Sequence, residues 1–156
     1  MHGGPVVNLG LYGTLLDPDV RAAVLGESWR QAGEPARLHG WGRFYVEGRA
    51  YPGIRRQPGA QVAVLVLRNV GGEALARADA FEGEEYTRGP LDIRLAGAGS
   101  GACSAMFYLP APTLPLNGLE WRYDEAWRAR HLERYLRETQ AAMMDFHARA
   151  GRAARQ

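Results

Sequence analysis

The chain has 156 residues, of which 46% are apolar and 23% are charged, and its net charge is +2. This length allows one hydrophobic core, and the composition is that of an ordinary soluble globular domain. A single cysteine, Cys103, excludes an internal disulfide and favours a reducing, cytoplasmic location, while no apolar run approaches the roughly 20 residues of a membrane-spanning helix.

All 19 basic residues are arginine. Chemistry that depends on lysine, such as Schiff-base formation or phosphate binding by a P-loop, is therefore excluded. The small net charge does not indicate a nucleic-acid-binding protein, and the first residues lack the pattern of a signal peptide. The basic residues near the end predict either a solvated tail or an electrostatic arm for an acidic partner: Arg149, Arg152 and Arg155.

The N-terminal part predicts a strand, a loop and a helix. Residues 6–11 form a short apolar run that is typical of a buried strand. Asp17 can cap a helix whose first position is taken by Pro18, and Gly26 predicts its end. Residues 37–51, rich in aromatic residues and glycine, predict one or two strands of a curved sheet.

The middle of the chain predicts a turn, a strand and a second helix. The turn is expected at Gln57-Pro58-Gly59, before a fully buried strand over residues 62–67. Gly71-Gly72 interrupts the chain ahead of a short helix over residues 73–82, which Gly83 should end.

The last third predicts two strands and a long amphipathic helix. The strands are expected at residues 91–95 and 103–109, joined by a glycine-rich turn over residues 97–101. A proline-rich loop follows, and from Asp124 onward apolar residues recur at intervals of three and four, as in a helix with one buried face. We predict one α+β domain over residues 1–156, with a core at about 6–147, flexible termini, and about five or six strands in a barrel or strongly curled sheet.

Several motifs that suggest chemistry are excluded by their context. Residues 97–102 resemble a dinucleotide-binding glycine fingerprint, but they lead into a strand instead of a helix. None of the serines lies in a nucleophile elbow, and the histidines and the lone cysteine lack metal-ligand spacing. We therefore expect neither a metal site nor a serine nucleophile.

Two positions remain as candidates for chemistry, and the first is the loop Tyr12-Gly13-Thr14-Leu15. A strand-to-helix turn containing glycine can present free backbone N–H groups to a bound anion. The same sequence also suits an ordinary turn before a capped helix.

The second candidate is Glu82. On a helical wheel it falls inside the apolar arc that contains Ala78 and Phe81, where a carboxylate is costly unless it is satisfied or useful. Burial and the negative end of the helix should both raise its pKa, which suits general acid–base catalysis. The alternative is that the helix frays and Glu82 points to water, as we expect of Glu84 and Glu85.

Three segments in register resemble the γ-glutamyl cyclotransferase-like superfamily: Leu11-Tyr12-Gly13-Thr14-Leu15, Tyr51-Pro52-Gly53, and Asp79-Ala80-Phe81-Glu82-Gly83 followed by Tyr86 and Arg88. The sequence is most similar to the plant avirulence-induced-gene group and its bacterial relatives, whose aromatic, helical end resembles the segment from Trp121 to His131. The resemblance covers about residues 6–147. It implies a small mixed β-barrel flanked by short helices, with a cavity between the loop and the glutamate.

The resemblance also implies an activity. Characterised members cyclise a γ-glutamyl group to 5-oxoproline and release an amine or amino acid, without a cofactor. Glu82 is then the expected general acid/base, and the N–H groups of Gly13, Thr14 and Leu15 are expected to hold the substrate carboxylate or the developing oxyanion. The remaining substrate-binding residues implied by the resemblance are Tyr12, Tyr51 and Tyr108.

Some features leave alternatives open. The chain has Gln61-Val62-Ala63-Val64 where many members have Gly-Glu, and Ala78 where a leucine is usual. The same cavity would suit a non-catalytic module that binds a small amine or carboxylate. The aromatic segment at Trp121, Tyr123 and Trp127 can pack on the barrel, cap the cavity or meet another subunit. A small molecule is the expected partner, with neither nucleic acid nor membrane, and the sequence does not indicate an oligomeric state.

Overall fold

The structure is a computed structural model that describes residues 5–97 and 101–154. Its strands are β1 (Val7–Leu11), β2 (Glu34–Val46), β3 (Pro52–Val70), β4 (Tyr86–Leu95), β5 (Ala102–Pro110) and β6 (Leu116–Glu120). Its helices are α1 (Pro18–Leu25), α2 (Gly72–Glu82) and α3 (Glu125–Ala154), with short 3-10 turns at Thr14–Leu16, Glu27–Trp29 and Gly83–Glu85. None of the described helices combines the length and the apolar character needed to cross a membrane.

Five strands close into a mixed β-barrel, which confirms the predicted fold class. The order is β3-β1-β5-β4-β2, and pairing between β2 and β3 completes the ring, while β6 extends β2 outside it. Only the β1–β5 pair is parallel among the described strands, with Leu9 opposite Met106. Closure leaves the ring without free strand edges.

The predicted turn at residues 57–59 is wrong, because β3 passes straight through this segment. The register against β2 shifts between His39 and Trp41, so that Gly40 alone stands opposite residues 57–60. A bulge of this kind accommodates Pro58, which cannot donate to the ladder, and Gly59, whose φ is +85°. The proline and glycine of this segment therefore mark an irregularity of the backbone inside one strand.

The local signals around the first two helices are confirmed. The Asp17 side chain accepts hydrogen bonds from the N–H groups of Asp19 at 2.8 Å and Val20 at 3.1 Å, as an N-terminal cap does. Helix α1 ends before Gly26, and α2 ends before Gly83, whose φ of +69° suits glycine.

Two hydrophobic clusters form the core. One consists almost entirely of strand residues, with Leu38 and Phe107 fully buried; the Phe107 ring lies so close to Gly10 that a Cβ at residue 10 would be 2.2 Å from it. The other joins the barrel to all three helices through Leu9, Val20, Ala78 and Met143. The helices are thus fixed against one side of the barrel, where the cavity described below lies.

The C-terminal aromatic segment packs on the barrel. Trp121 and Trp127 are both buried, and their indole Nε1 atoms donate to the same acceptor, the Ala50 carbonyl, at 2.8 and 2.9 Å. Helix α3 then continues to Ala154, so Arg149 and Arg152 are helical. Arg155 and the centre of the predicted turn, residues 98–100, lie outside the described residues.

Candidate active site

All of the residues predicted for the site line one cavity of about 110 Å³. It lies where the loop after β1 meets the end of α2, the start of β4, the strand β5 and one face of α3. The predicted residues on its wall are Tyr12, Gly13, Thr14, Leu15, Tyr51, Glu82 and Tyr108. The fold therefore brings together four segments that are distant in the sequence.

The loop after β1 leaves its backbone donors free. It forms a 3-10 turn, in which the N–H groups of Leu16 and Asp17 donate to the carbonyls of Gly13 and Thr14 at 2.9 and 3.1 Å. Among the hydrogen bonds between described residues, the N–H groups of Gly13, Thr14 and Leu15 donate to nothing. Free donors at the start of such a turn are available to an anion.

A buried arginine holds this loop from behind. Arg21 is 4% exposed, and its Nη1 donates to the carbonyls of Leu15 at 2.9 Å and Leu16 at 3.1 Å. The same guanidinium reaches the carbonyls of Trp29 and Arg30 through its other nitrogens. One side chain thus fixes the position of the loop relative to α1 and the segment that follows it.

The opposite side of the loop is fixed by two further contacts. Arg43 of β2 donates from Nη1 to the Tyr12 carbonyl at 2.8 Å. The Thr14 hydroxyl and the Tyr135 hydroxyl of α3 are hydrogen-bonded at 3.0 Å. The C-terminal helix therefore contributes a wall of the cavity as well as packing on the barrel.

Three tyrosine hydroxyls around the cavity donate hydrogen bonds to specific acceptors. Tyr12 donates to the Tyr108 carbonyl at 2.6 Å, and Tyr108 donates to Asp79 Oδ1 at 2.8 Å. Tyr51 donates to Glu85 Oε1 at 2.9 Å, and burial together with that bond raises the pKa of Tyr51 to about 12. These hydroxyls stay protonated at neutral pH and act as fixed donors.

Glu82 is the last residue of α2 and is half-buried in the cavity wall. Burial, followed by the negative charges of Asp79 and Glu85, raises its pKa to about 8. Arg88, six residues further along the chain, pairs with Asp79 at 2.7 Å. No salt bridge between described residues includes Glu82. The expected inward face and raised pKa are both found, and the helix does not fray before Gly83.

This raised pKa predicts a pH dependence of stability. The folded protein binds the Glu82 proton more tightly than the unfolded chain, so the contribution is fully present below pH 4.5 and is lost as the pH rises through about 8. The wild type should therefore lose thermal stability relative to Glu82→Gln across this window. Melting temperatures of both proteins between pH 4 and 9 test this, and parallel curves would show that Glu82 is solvated.

Three polar side chains of the cavity were not among the predicted site residues: Glu85, Tyr86 and Tyr135. Glu85 was expected in solvent but is half-buried and accepts the Tyr51 hydrogen bond. Tyr86 donates to the Pro52 carbonyl at 2.8 Å, and Tyr135 stands edge-on to Phe81 with ring centroids 6.4 Å apart. The only sequence signals were the place of Tyr86 in the resembling segments and that of Tyr135 on the apolar face of α3. Within the described residues, no three His, Cys, Asp or Glu side chains cluster as metal ligands would.

The chain is similar to known proteins over most of its length. Residues 10–129 match the family model described as gamma-glutamyl cyclotransferase, AIG2-like. The chain is similar to Protein AIG2 C of Arabidopsis thaliana, with 28% identity over 141 residues that cover 90% of this chain and 82% of that protein. It is 30% identical over 130 residues to AIG2-like protein A of the same plant, covering 83% of this chain and 76% of that protein.

A solved structure shares the fold. The solution structure of an Arabidopsis thaliana protein aligns with a TM-score of 0.63 and 28% identity, covering 92% of this chain and 94% of that one. The alignment therefore extends over most of the fold described above.

Proposed function

The chain belongs to the AIG2-like γ-glutamyl cyclotransferase family, and we propose that it converts the γ-glutamyl group of a small amide or peptide to 5-oxoproline, with Glu82 as general acid/base. The observation that carries the proposal is the position of Glu82, whose pKa is raised to about 8, in the same small cavity as the free N–H groups of the loop. The family and the fold support a cyclotransferase-like activity in general. Beyond that general activity, we propose the specific reaction, formation of 5-oxoproline, and the roles of the named residues in it.

The loop supplies the anchor for the substrate. The N–H groups of Gly13, Thr14 and Leu15 would bind the α-carboxylate or the oxyanion that forms on the γ-carbonyl, and fixed donors of this kind need no reorganisation during the reaction. Because the loop is held by Arg21 and Arg43, the donors are preorganised. Tyr12 would form the side wall, with its own hydroxyl already satisfied by Tyr108.

The reaction is an internal exchange of one amide for another. The substrate's α-amine attacks its own γ-carbonyl carbon, and the new C–N bond closes the five-membered ring. Glu82 accepts the proton that the attacking nitrogen loses and delivers it to the nitrogen of the leaving amine. The original amide C–N bond then breaks, giving 5-oxoproline and a free amine, and no water is consumed.

The raised pKa suits both proton transfers. An α-amino group has a pKa of about 8, and the pKa of Glu82 is raised to about the same value. A proton can therefore move between the two groups with little free-energy difference, which is the condition for efficient general acid–base catalysis. An ordinary glutamate would be too weak a base to take the proton efficiently from the attacking nitrogen.

Two tyrosines that would contact the substrate have their hydroxyls in place. Tyr108 is held by Asp79, and Tyr51 by Glu85, so both rings present fixed faces and edges to the cavity. Tyr51 also stands at the boundary between this cavity and a second groove. We propose that the leaving amine passes out on this side.

Turnover of a substrate panel tests the proposal. Release of 5-oxoproline should be measured from γ-glutamyl dipeptides and γ-glutamyl amines, and at least one should react without added metal or cofactor. Mass spectrometry should find the free amine in equal amount. Tight binding of these compounds without turnover would instead support the non-catalytic binding module.

A further inference from the structure

The small cavity shares two wall residues with a larger groove that has a different charge. The groove has a volume of about 660 Å³ and lies between the turn after β2, the strand β6 and helix α3. It shares Tyr51 and Tyr135 with the cavity of about 110 Å³. Because ligand sites usually enclose roughly 300–1,000 Å³, the cavity alone is too small for a whole conjugate, and the groove offers the remaining space.

The groove is positively charged. Its lining includes three arginines, Arg49, Arg130 and Arg134, and only one carboxylate, that of Glu138. Glu138 pairs with Arg134 at 3.0 Å, but both side chains are exposed, and such pairs exchange partners at little cost. Arg49 and Arg130 take part in no salt bridge among the described residues.

The arginines of the groove influence the pKa values of two neighbouring groups. Burial and then the positive charge of Arg130 lower the pKa of His131, which also lines the groove. Arg49 acts in the same sense on Tyr51, where its charge partly offsets the rise in the pKa of the phenol. The charge of Arg49 therefore acts on Tyr51, which lines both the groove and the cavity, although the nearby Glu85 acts on it in the opposite sense.

We infer that this groove is the subsite for the leaving part of the substrate, and that it selects γ-glutamyl conjugates whose leaving part carries an acidic group. Guanidinium groups bind carboxylates through two parallel hydrogen bonds, and a positive groove raises the local concentration of anionic ligands. A cationic amine would be repelled by the same charges. The inference rests on the proposed function, since it assigns the leaving group of that reaction.

Two isosteric substrates test the inference. γ-Glutamyl-alanine and its C-terminal amide differ by one carboxylate, and only the first has an acidic group on its leaving part. We expect about a tenfold higher kcat/KM for the acidic compound at low salt, mostly through KM. In the double variant Arg130→Gln/Arg134→Gln this ratio should fall to about twofold. Arg137→Gln is the matched control, because Arg137 is exposed on the same helix and does not line the groove.

Binding measurements separate this inference from the proposed function. If neither compound is turned over, the proposed reaction fails, and calorimetry with the same compounds then tests the groove alone. Tighter binding of the acidic compound by about tenfold, lost in the double variant and kept in Arg137→Gln, supports the anionic subsite. Equal affinity of the two compounds, or equal loss in the control variant, overturns it.

Discussion

The Glu82→Gln variant is expected to retain the fold and to lose about 10²- to 10⁴-fold in kcat for 5-oxoproline release. Glutamine has the same shape as protonated glutamate, but it cannot accept the proton of the attacking amine. Since Glu82 has a pKa of about 8, the folded protein already holds this side chain largely uncharged at neutral pH. The amide should therefore fit the cavity without loss of stability.

The neighbouring glutamate provides the control. Glu84 follows Glu82 by two residues, is exposed and does not line the cavity. Glu84→Gln should leave kcat and KM within about twofold of the wild type, as surface substitutions usually do. Retention of wild-type turnover by Glu82→Gln would remove Glu82 from the mechanism, whereas equal loss in both variants would indicate a structural effect of this helix end.

The Arg21→Met variant is expected to lose about 3 kcal/mol of folding free energy, which corresponds to a decrease of about 10 °C in Tm for a domain of this size. The guanidinium donates to four backbone carbonyls, of Leu15, Leu16, Trp29 and Arg30. Methionine fills a similar space but donates nothing, so buried carbonyls are left unsatisfied. Lysine should not restore the stability, because a single ammonium cannot match the geometry of the planar fork.

The same variant should also impair the reaction. Arg21 does not itself line the cavity, but it holds the loop whose N–H groups would bind the substrate. At a temperature where the variant is fully folded, kcat/KM should fall while the pH profile set by Glu82 stays in place. Arg137→Met removes an exposed arginine paired with Glu133 and should change Tm by less than about 2 °C. A similar decrease in both variants would contradict the special role of the buried guanidinium.

Local features of the fold were predictable because their causes are local. Asp17 and Pro18 specify the start of α1 through one cap and one fixed φ, and Gly83 specifies the end of α2. Segment 57–59 also carries a correct local signal, but the partner strand decides whether it becomes a turn or a bulge. Strand β6 was missed because four of its five residues are exposed, so its hydrophobic pattern is absent.

The residues of the candidate site also fall into those that the local sequence indicates and those that depend on long-range contacts. Glu82 was found because helix geometry and the family resemblance both pointed to it. Glu85 was assigned to solvent because its burial depends on Tyr51, a residue 34 positions away. Tyr135 and Thr14 are 121 positions apart, and no spacing in the sequence brings them together. Contacts of this range come from closure of the barrel and the docking of α3, which only the folded chain shows.

The docking of α3 has a consequence for how the protein is made. The loop that carries Thr14 leaves the ribosome early, but its partner Tyr135 belongs to the last quarter of the chain. Asp17, the buried cap of α1, likewise accepts hydrogen bonds from Tyr123 and Arg128, which are synthesised much later. The N-terminal part of a growing chain can begin to fold before the rest is made, but the cavity stays open on one side until α3 has emerged. Ribosome-bound fragments that end before α3 would therefore carry Glu82 in an unfinished, solvated pocket, and the proposed reaction would begin only after α3 has docked.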